Sequence, residues 1–203
     1  MLYVIIVAVA MLLISTVVAL ATSVSYLHVL GLTTVAVISV VAIDGLTATV
    51  CRLLPAKFAD HEKRVFKVSA EEKKFYEKLK IRKWKDRVPE IGQFTGFRKN
   101  KLDDPKNPEY IDRFLLETCY GEIGHFTSMF TSFLILLLFS ISKLWLAVAI
   151  PVAVVSALLN LPSFIILRYN SYKLEVLRKS ALRKLEWERK KETEREVAAT
   201  VTD

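Results

Sequence analysis

The chain has 203 residues, 53% of them hydrophobic, and a formal net charge of +8. Length alone allows one ordinary domain. The apolar residues, however, gather into long uncharged runs and the basic ones fill the stretches between, which excludes a simple soluble core.

In chain order, Met1–Ser23 and Val24–Ile43 carry no charged side chain, and neither do Phe126–Ser142 and Leu144–Leu167, with Lys143 alone between the last two. A membrane-crossing helix needs roughly 20 mainly apolar residues. The pattern predicts an all-α integral membrane protein with four spans, at about residues 2–22, 27–50, 120–141 and 144–167. The Ala19–Ala21 stretch resembles a signal-peptidase site, but no basic residue precedes the first run. That run is therefore read as a span and not as a leader. The organisation expected is 1–50 for two spans, 51–119 for a structured polar segment, 120–167 for two more spans and 168–203 for a charged helix and tail.

Basic residues set the expected orientation. Cys51–His125 holds 18 of the 29 Lys and Arg, and Arg168–Asp203 holds 10. The positive-inside rule puts the middle segment, the tail and both termini in the cytosol. The positive charge then suits an anionic inner leaflet, and no nucleic-acid-binding motif is present. Cys51 and Cys119 fall on that reducing side, and without a Cys/His ladder no metal site is expected. Nothing in the sequence specifies an oligomeric state.

Within the polar segment, Ser69 followed by Glu72 is a capping-box signature. Phe75, Tyr76, Leu79, Ile81 and Trp84 then alternate with seven basic residues, as in a helix resting on a membrane interface or packed on a neighbour. Pro89, Gly92, Gly96, Pro105 and Pro108 mark loop and turns, and a new helix is expected near Pro108–Glu109. The tail reads as a helix with a narrow stripe at Leu174, Leu177, Ala181, Leu182 and Leu185, ending in seven unstructured residues.

Three polar features share one depth. Asp44 precedes Arg52 by eight residues and Asn160 precedes Arg168 by eight, so each lies about 12 Å inside its interface. His125 enters the same layer from the opposite chain direction, with Thr127, Ser128, Thr131 and Ser132 following. A carboxylate at the centre of a span costs about 2.5–3.5 kcal/mol, less nearer the interface, and Asp44 is relieved by protonation or by a hydrogen bond from His125, Asn160 or Arg52. Glu122 and His125 stand three residues apart on one helix face, with Glu117 two turns away from His125. A carboxylate beside an imidazole fixes its tautomer, which makes His125 a candidate general base oriented by Glu122 or Asp44. Arg82, Lys83, Lys85, Arg98, Lys99 and Lys101 suit phosphate groups. The chain lacks GxSxG, P-loop, GxGxxG, HEXXH and His-x4-Asp patterns, and three histidines are too few for a histidine-box desaturase.

The stretches IDGLTATVCRLLP, FYEKLKIRKWKDRVPE, GFRKNKL, YIDRFLLETCYGEIGH and NLPSFIILRYN resemble a bacterial membrane family, the glycosyl-diaponeurosporenoate acyltransferases of staphyloxanthin synthesis. The resemblance runs from about Asp44 to Asn170, although Ser171 stands where the family often has Arg. It implies esterification of a lipid-linked, glycosylated acceptor in the cell membrane by a fatty acyl group. It also implies an acyl-coenzyme A or similar donor as co-substrate, with no further cofactor. It points to Glu117, Glu122, His125, Trp84, Lys85, Asp86, Arg168, Tyr169 and Asn170, and the thioester attack it implies needs an oxyanion donor, for which Asn170, Arg168 or Arg113 are candidates. A non-enzymatic lipid-binding or scaffolding subunit would explain the spans and charge equally well, and another lipid-modifying enzyme of the inner leaflet is a third reading.

Overall fold

The computed structural model describes residues 2–88, 102–138 and 142–201, and among them every regular element is helical. Helix α1 (Leu2–Thr22) turns into α2 (Tyr26–Leu53) through Ser23, whose φ of 55° lets the chain reverse within three residues. A short 3-10 turn at Ala56–Phe58 follows. The polar segment then supplies α3 (Ala70–Lys78), α4 (Ile81–Trp84) and a 3-10 turn at Lys85–Arg87. Helix α5 (Pro108–Thr131) passes into a 3-10 stretch, Ser132–Leu137, and α6 runs unbroken from Lys143 to Val201.

Local chemistry explains the helix starts. Ser69 Oγ accepts from Glu72 N at 3.0 Å, the N-cap bond of the expected capping box. Asn107 Oδ1 accepts from Glu109 N and Tyr110 N at 3.0 and 3.4 Å, with Pro108 in the first turn, where its missing N–H costs nothing. The basic helix expected from Ser69 onward is broken at Lys80, which adopts φ 53°. That break turns Tyr76 and Ile81 inward together with Ile166 and Tyr169.

Among the described residues three helices, α1, α2 and α6, are long and apolar enough to cross a membrane. The third expected span is instead divided between the last turns of α5 and the 3-10 stretch. Its first half belongs to a helix whose other end is polar. The segment nevertheless packs with the other three, because Val18, Val29, Val40, Ile135, Trp145, Val148 and Val152 form one buried cluster. Trp145 Nε1 donates to the Ile135 carbonyl at 3.2 Å and ties the start of α6 to the 3-10 stretch. Ser15 and Thr33, both fully buried, bond at 3.0 Å between α1 and α2.

The fourth expected span and the charged tail are one helix of 59 residues, which persists through Val201 where an unstructured end was expected. Pro151 and Pro162 sit inside it, and each leaves one carbonyl four residues earlier without its helical donor. Over its polar half α6 packs along α5: Ile111, Phe114 and Leu115 meet Leu174 and Ala181.

Helices α5 and α6 approach tightly at Gly121, where an added Cβ would lie 2.9 Å from Leu167 Cδ1. Alanine meets only the end of a flexible side chain, whereas a branched residue forces the helices apart. Overpacking of this kind costs about 1–3 kcal/mol. Gly121→Ala should retain parental thermal stability in detergent and Gly121→Ile should lower it clearly, as read by temperature-dependent size-exclusion recovery.

Candidate active site

Helical periodicity carries one inward stripe along each helix. On α2, Val29, Thr33, Ala36 and Val40 are buried, and the next residue at that spacing is Asp44. On α5, Glu122 and Ser128 are buried, as is Ser132 just beyond, with His125 on the same face. On α6, Val152 and Ser156 are buried, and Asn160 follows one turn on. The stripes bring Asp44, His125 and Asn160 together, as their shared depth predicts.

The cluster is fully hydrogen-bonded. Asn160 Nδ2 donates to Asp44 Oδ2 at 3.3 Å and to the Ser156 carbonyl at 3.1 Å. Ser156 Oγ donates to Asp44 Oδ2 at 3.0 Å and Ser132 Oγ reaches Asp44 Oδ1 at 3.3 Å. The two serine hydroxyls lie 3.0 Å apart. His125 Nδ1 is 2.8 Å from Asn160 Oδ1. A carboxylate only accepts, so Asp44 requires the amide NH2 of Asn160, and the amide oxygen faces the imidazole. His125 Nδ1 therefore carries a proton, and in the neutral ring the lone pair is on Nε2. Carboxylate support reaches His125 through an amide.

The residues expected to orient His125 directly do other work. Glu122 Oε1 accepts from Ser171 Oγ at 2.5 Å and its Oε2 from Arg168 Nη1 at 3.3 Å. Glu117 pairs with Arg52 at the partly exposed edge of the bundle. Arg168 is consumed within the fold. Its Nε and Nη2 grip the two oxygens of Glu72 at 2.9 and 2.8 Å. Nη1 also reaches the Val65 carbonyl at 2.8 Å, and Nη2 the Lys67 carbonyl at 3.5 Å. Five donors meet five acceptors, which leaves none for a substrate oxyanion.

Several other expected binding residues are structural as well. Trp84 Nε1 donates to the Leu79 carbonyl at 3.0 Å, and its ring packs on the Tyr76–Ile166–Tyr169 cluster. Tyr169 is fully buried and its hydroxyl accepts from Arg82 Nε at 2.8 Å. Arg113 is exposed on α5. Arg98 and Lys99 lie outside the described residues. Asn170 and Lys85 remain available: with Asp86, Leu102, Phe114, Lys173 and Leu174 they line a cleft of about 350 Å³ at the polar end of the bundle. Asn170 follows Asn160 by ten residues, about 15 Å along the helix, too far to serve as an oxyanion donor beside His125.

The family model of glycosyl-4,4'-diaponeurosporenoate acyltransferase matches residues 56–180, more than half of the chain. The chain belongs to this acyltransferase family. No curated protein and no solved structure matches it. The family segment holds His125, Ser132, Ser156, Asn160, the Arg168 network and the cleft. It begins after Asp44, so the carboxylate of the cluster lies outside the stretch that defines the acyltransferase family.

Sequence reasoning missed Ser156 and Lys173. Ser156 stands one helical turn before Asn160, so periodicity alone could have found it. It also missed a second cluster, in which His61 Nδ1 lies 2.6 Å from Glu175 and His61 Nε2 3.7 Å from Asp112, with Arg178 joining Asp112 and Glu62. These residues are distant in sequence and carry no local pattern. They fasten the segment after α2 to α5 and α6.

At Glu72, burial raises the carboxyl, but the hydrogen bonds from Arg168 and Tyr76 outweigh it and hold the group below its ordinary range. A lowered folded value means that this stabilisation is complete above the ordinary carboxylate range and is lost as pH falls through the folded value. Glu72→Gln should therefore lessen the acid-induced loss of thermal stability in detergent. Arg168→Ala strands a buried Glu122, a change that typically costs about 3–5 kcal/mol. Arg168→Lys should not restore it, because an ammonium has three donors against five. Both variants should fail as folded protein in size-exclusion recovery, before any effect on substrate affinity is seen.

Proposed function

We propose that the chain transfers a fatty acyl group from a thioester donor to a hydroxyl of a lipid-linked, glycosylated acceptor at the cytosolic leaflet of a bacterial membrane. The observation that carries this reading is the His125–Asn160–Asp44 relay inside a helix bundle of an acyltransferase family. The apolar chains of donor and acceptor reach such a site from the bilayer, and the polar ends remain at the basic face.

In this reading His125 Nε2 takes the proton of the acceptor hydroxyl as its oxygen bonds to the thioester carbonyl carbon. Collapse of the tetrahedral intermediate breaks the C–S bond, and the imidazolium returns the proton to the departing thiolate. Asn160 holds the ring in the tautomer that the first step needs, an arrangement also used by Cys-His-Asn sites on unrelated folds. Asp44, which accepts from Asn160 and Ser156, favours the imidazolium through the amide. Glu122 and Arg168 act one layer away as the brace of the site.

His125→Ala should lower turnover about 10²–10⁴-fold while folding normally. Asn160→Ala should lower kcat more than it changes KM. The assay is purified protein in detergent with labelled acyl-coenzyme A and a panel of glycolipids. Parental turnover by His125→Ala on an authentic acceptor would exclude the mechanism, and a scaffold would tolerate the change entirely.

The distribution of basic residues supports four spans with both termini and the polar segment in the cytosol. Both native cysteines are buried, which keeps labelling background low. A cysteine placed at Ser23 should react with an impermeant maleimide in intact cells, and one placed at Lys78 should react only after lysis. The reverse pattern would overturn the orientation.

A further inference from the structure

The cleft at the polar end of α5 and α6 has a composition that acyl transfer at His125 does not itself require. Lys85 and Lys173 supply two ammonium groups, and Asn170 an amide. Leu102, Phe114 and Leu174 form an apolar wall, while Asp86 is the single carboxylate. Its carboxylate is 3.9 Å from Lys85 Nζ. The side chain of Lys85 is only 19% exposed, so its stem is held and its charge is presented at a fixed place. Lys173 Nζ stands 4.5 Å over the Tyr169 ring. Arg168 and Arg178 nearby are engaged with carboxylates of the fold, and the two lysines line the cleft.

We propose that this cleft binds the phosphate and the first part of the pantetheine arm of the acyl donor; the proposal rests on the acyl-transfer reading above. Two ammonium groups suit a phosphate, an amide side chain suits the amides of the arm, and the apolar wall suits its branched aliphatic portion. At about 350 Å³ the cleft lies at the small end of ligand sites, enough for that segment and too small for a nucleotide as well. Position adds a second argument: the cleft and the His125–Asn160 pair lie about 15 Å apart along α6, a separation that the extended pantetheine arm of a donor anchored here can span. Any further part of the donor, whether the nucleotide of coenzyme A or a carrier protein, remains outside the bundle.

The test uses the full chain in detergent with three labelled donors of one acyl length: acyl-pantetheine, acyl-phosphopantetheine and acyl-coenzyme A. An acyl carrier protein bearing the same arm forms a fourth arm, and the lower KM of the last two names the source. The parent should prefer donors with phosphate, and in Lys85→Gln/Lys173→Gln that preference should fall about tenfold or more, the loss expected for charge-assisted hydrogen bonds. Lys85→Arg/Lys173→Arg should keep most of it and controls for folding. Calorimetric binding of desulfo-coenzyme A gives a readout without turnover. Binding that the Gln double variant weakens and His125→Ala retains supports the cleft even if no glycolipid is acylated. An unchanged donor preference in an active Gln double variant would overturn the cleft and leave acyl transfer standing. Failure of the parent to bind desulfo-coenzyme A or discriminate by phosphate would also overturn it.

Discussion

One guanidinium organises the polar end of this protein. Arg168 is only 9% exposed, and it joins the start of α3 through Glu72, the middle of α5 through Glu122 and the segment before α3 through two backbone carbonyls. A buried cation of this kind is tolerable only with its donors satisfied. Satisfying five of them in a fixed fork fixes three chain segments relative to α6. Tyr76 completes the arrangement by donating to Glu72 at 2.6 Å, and burial beside that carboxylate keeps its hydroxyl protonated well above the usual range. The short α3–α4 segment has little core of its own, so this network and the Tyr76–Ile166–Tyr169 cluster hold it on the bundle.

This brace separates two tasks that the sequence places side by side. Glu122 and His125 share a helix face, yet Glu122 belongs to the Arg168 layer and His125 to the Asp44–Asn160 layer one turn deeper. If Glu122 oriented the imidazole, loss of Arg168 would alter structure and chemistry together. With Asn160 as the intermediary, the imidazole is set by an uncharged side chain on α6, and Asp44 contributes from α2 on the far side. The two layers are joined through α5 and α6, which carry residues of both.

Much of this was legible from residue spacing. Uncharged runs gave α1, α2 and the first part of α6, a capping box gave the start of α3 and a first-turn proline that of α5, and counting from Arg52 and Arg168 put Asp44 and Asn160 at the depth that His125 enters from the other direction. Shared depth does not give rotation about each helix, so which carboxylate faced His125 could not be read from a spacing of three. The role of Arg168 was hidden for the same reason: its partner Glu72 lies 96 residues away and arrives through a segment whose fold depends on that contact. The His61–Glu175–Asp112 group likewise consists of long-range pairs without a local signature. The break at Lys80 was missed because the basic pattern around it continues through the change of direction.

In the proposed membrane setting, the polar cluster also bears on how the bundle is held together. Asp44 accepts from Ser156 and Asn160 on α6, with Ser132 Oγ 3.3 Å from its other oxygen, so its carboxyl is partnered only when these apolar segments are docked on α2. In hydrocarbon an unpaired carboxylate is costly, and inward-facing polar groups act as adhesive between helices. The third segment, with its uncharged part divided between α5 and a 3-10 stretch, is the weakest of the four by length and composition. The hydrogen bonds of Ser132 to Asp44 and Ser156, and of Thr47 to Thr131 at 3.0 Å, lie where that segment would otherwise be least secure. The residues that hold the proposed relay in place are therefore also those that hold this segment in the bundle.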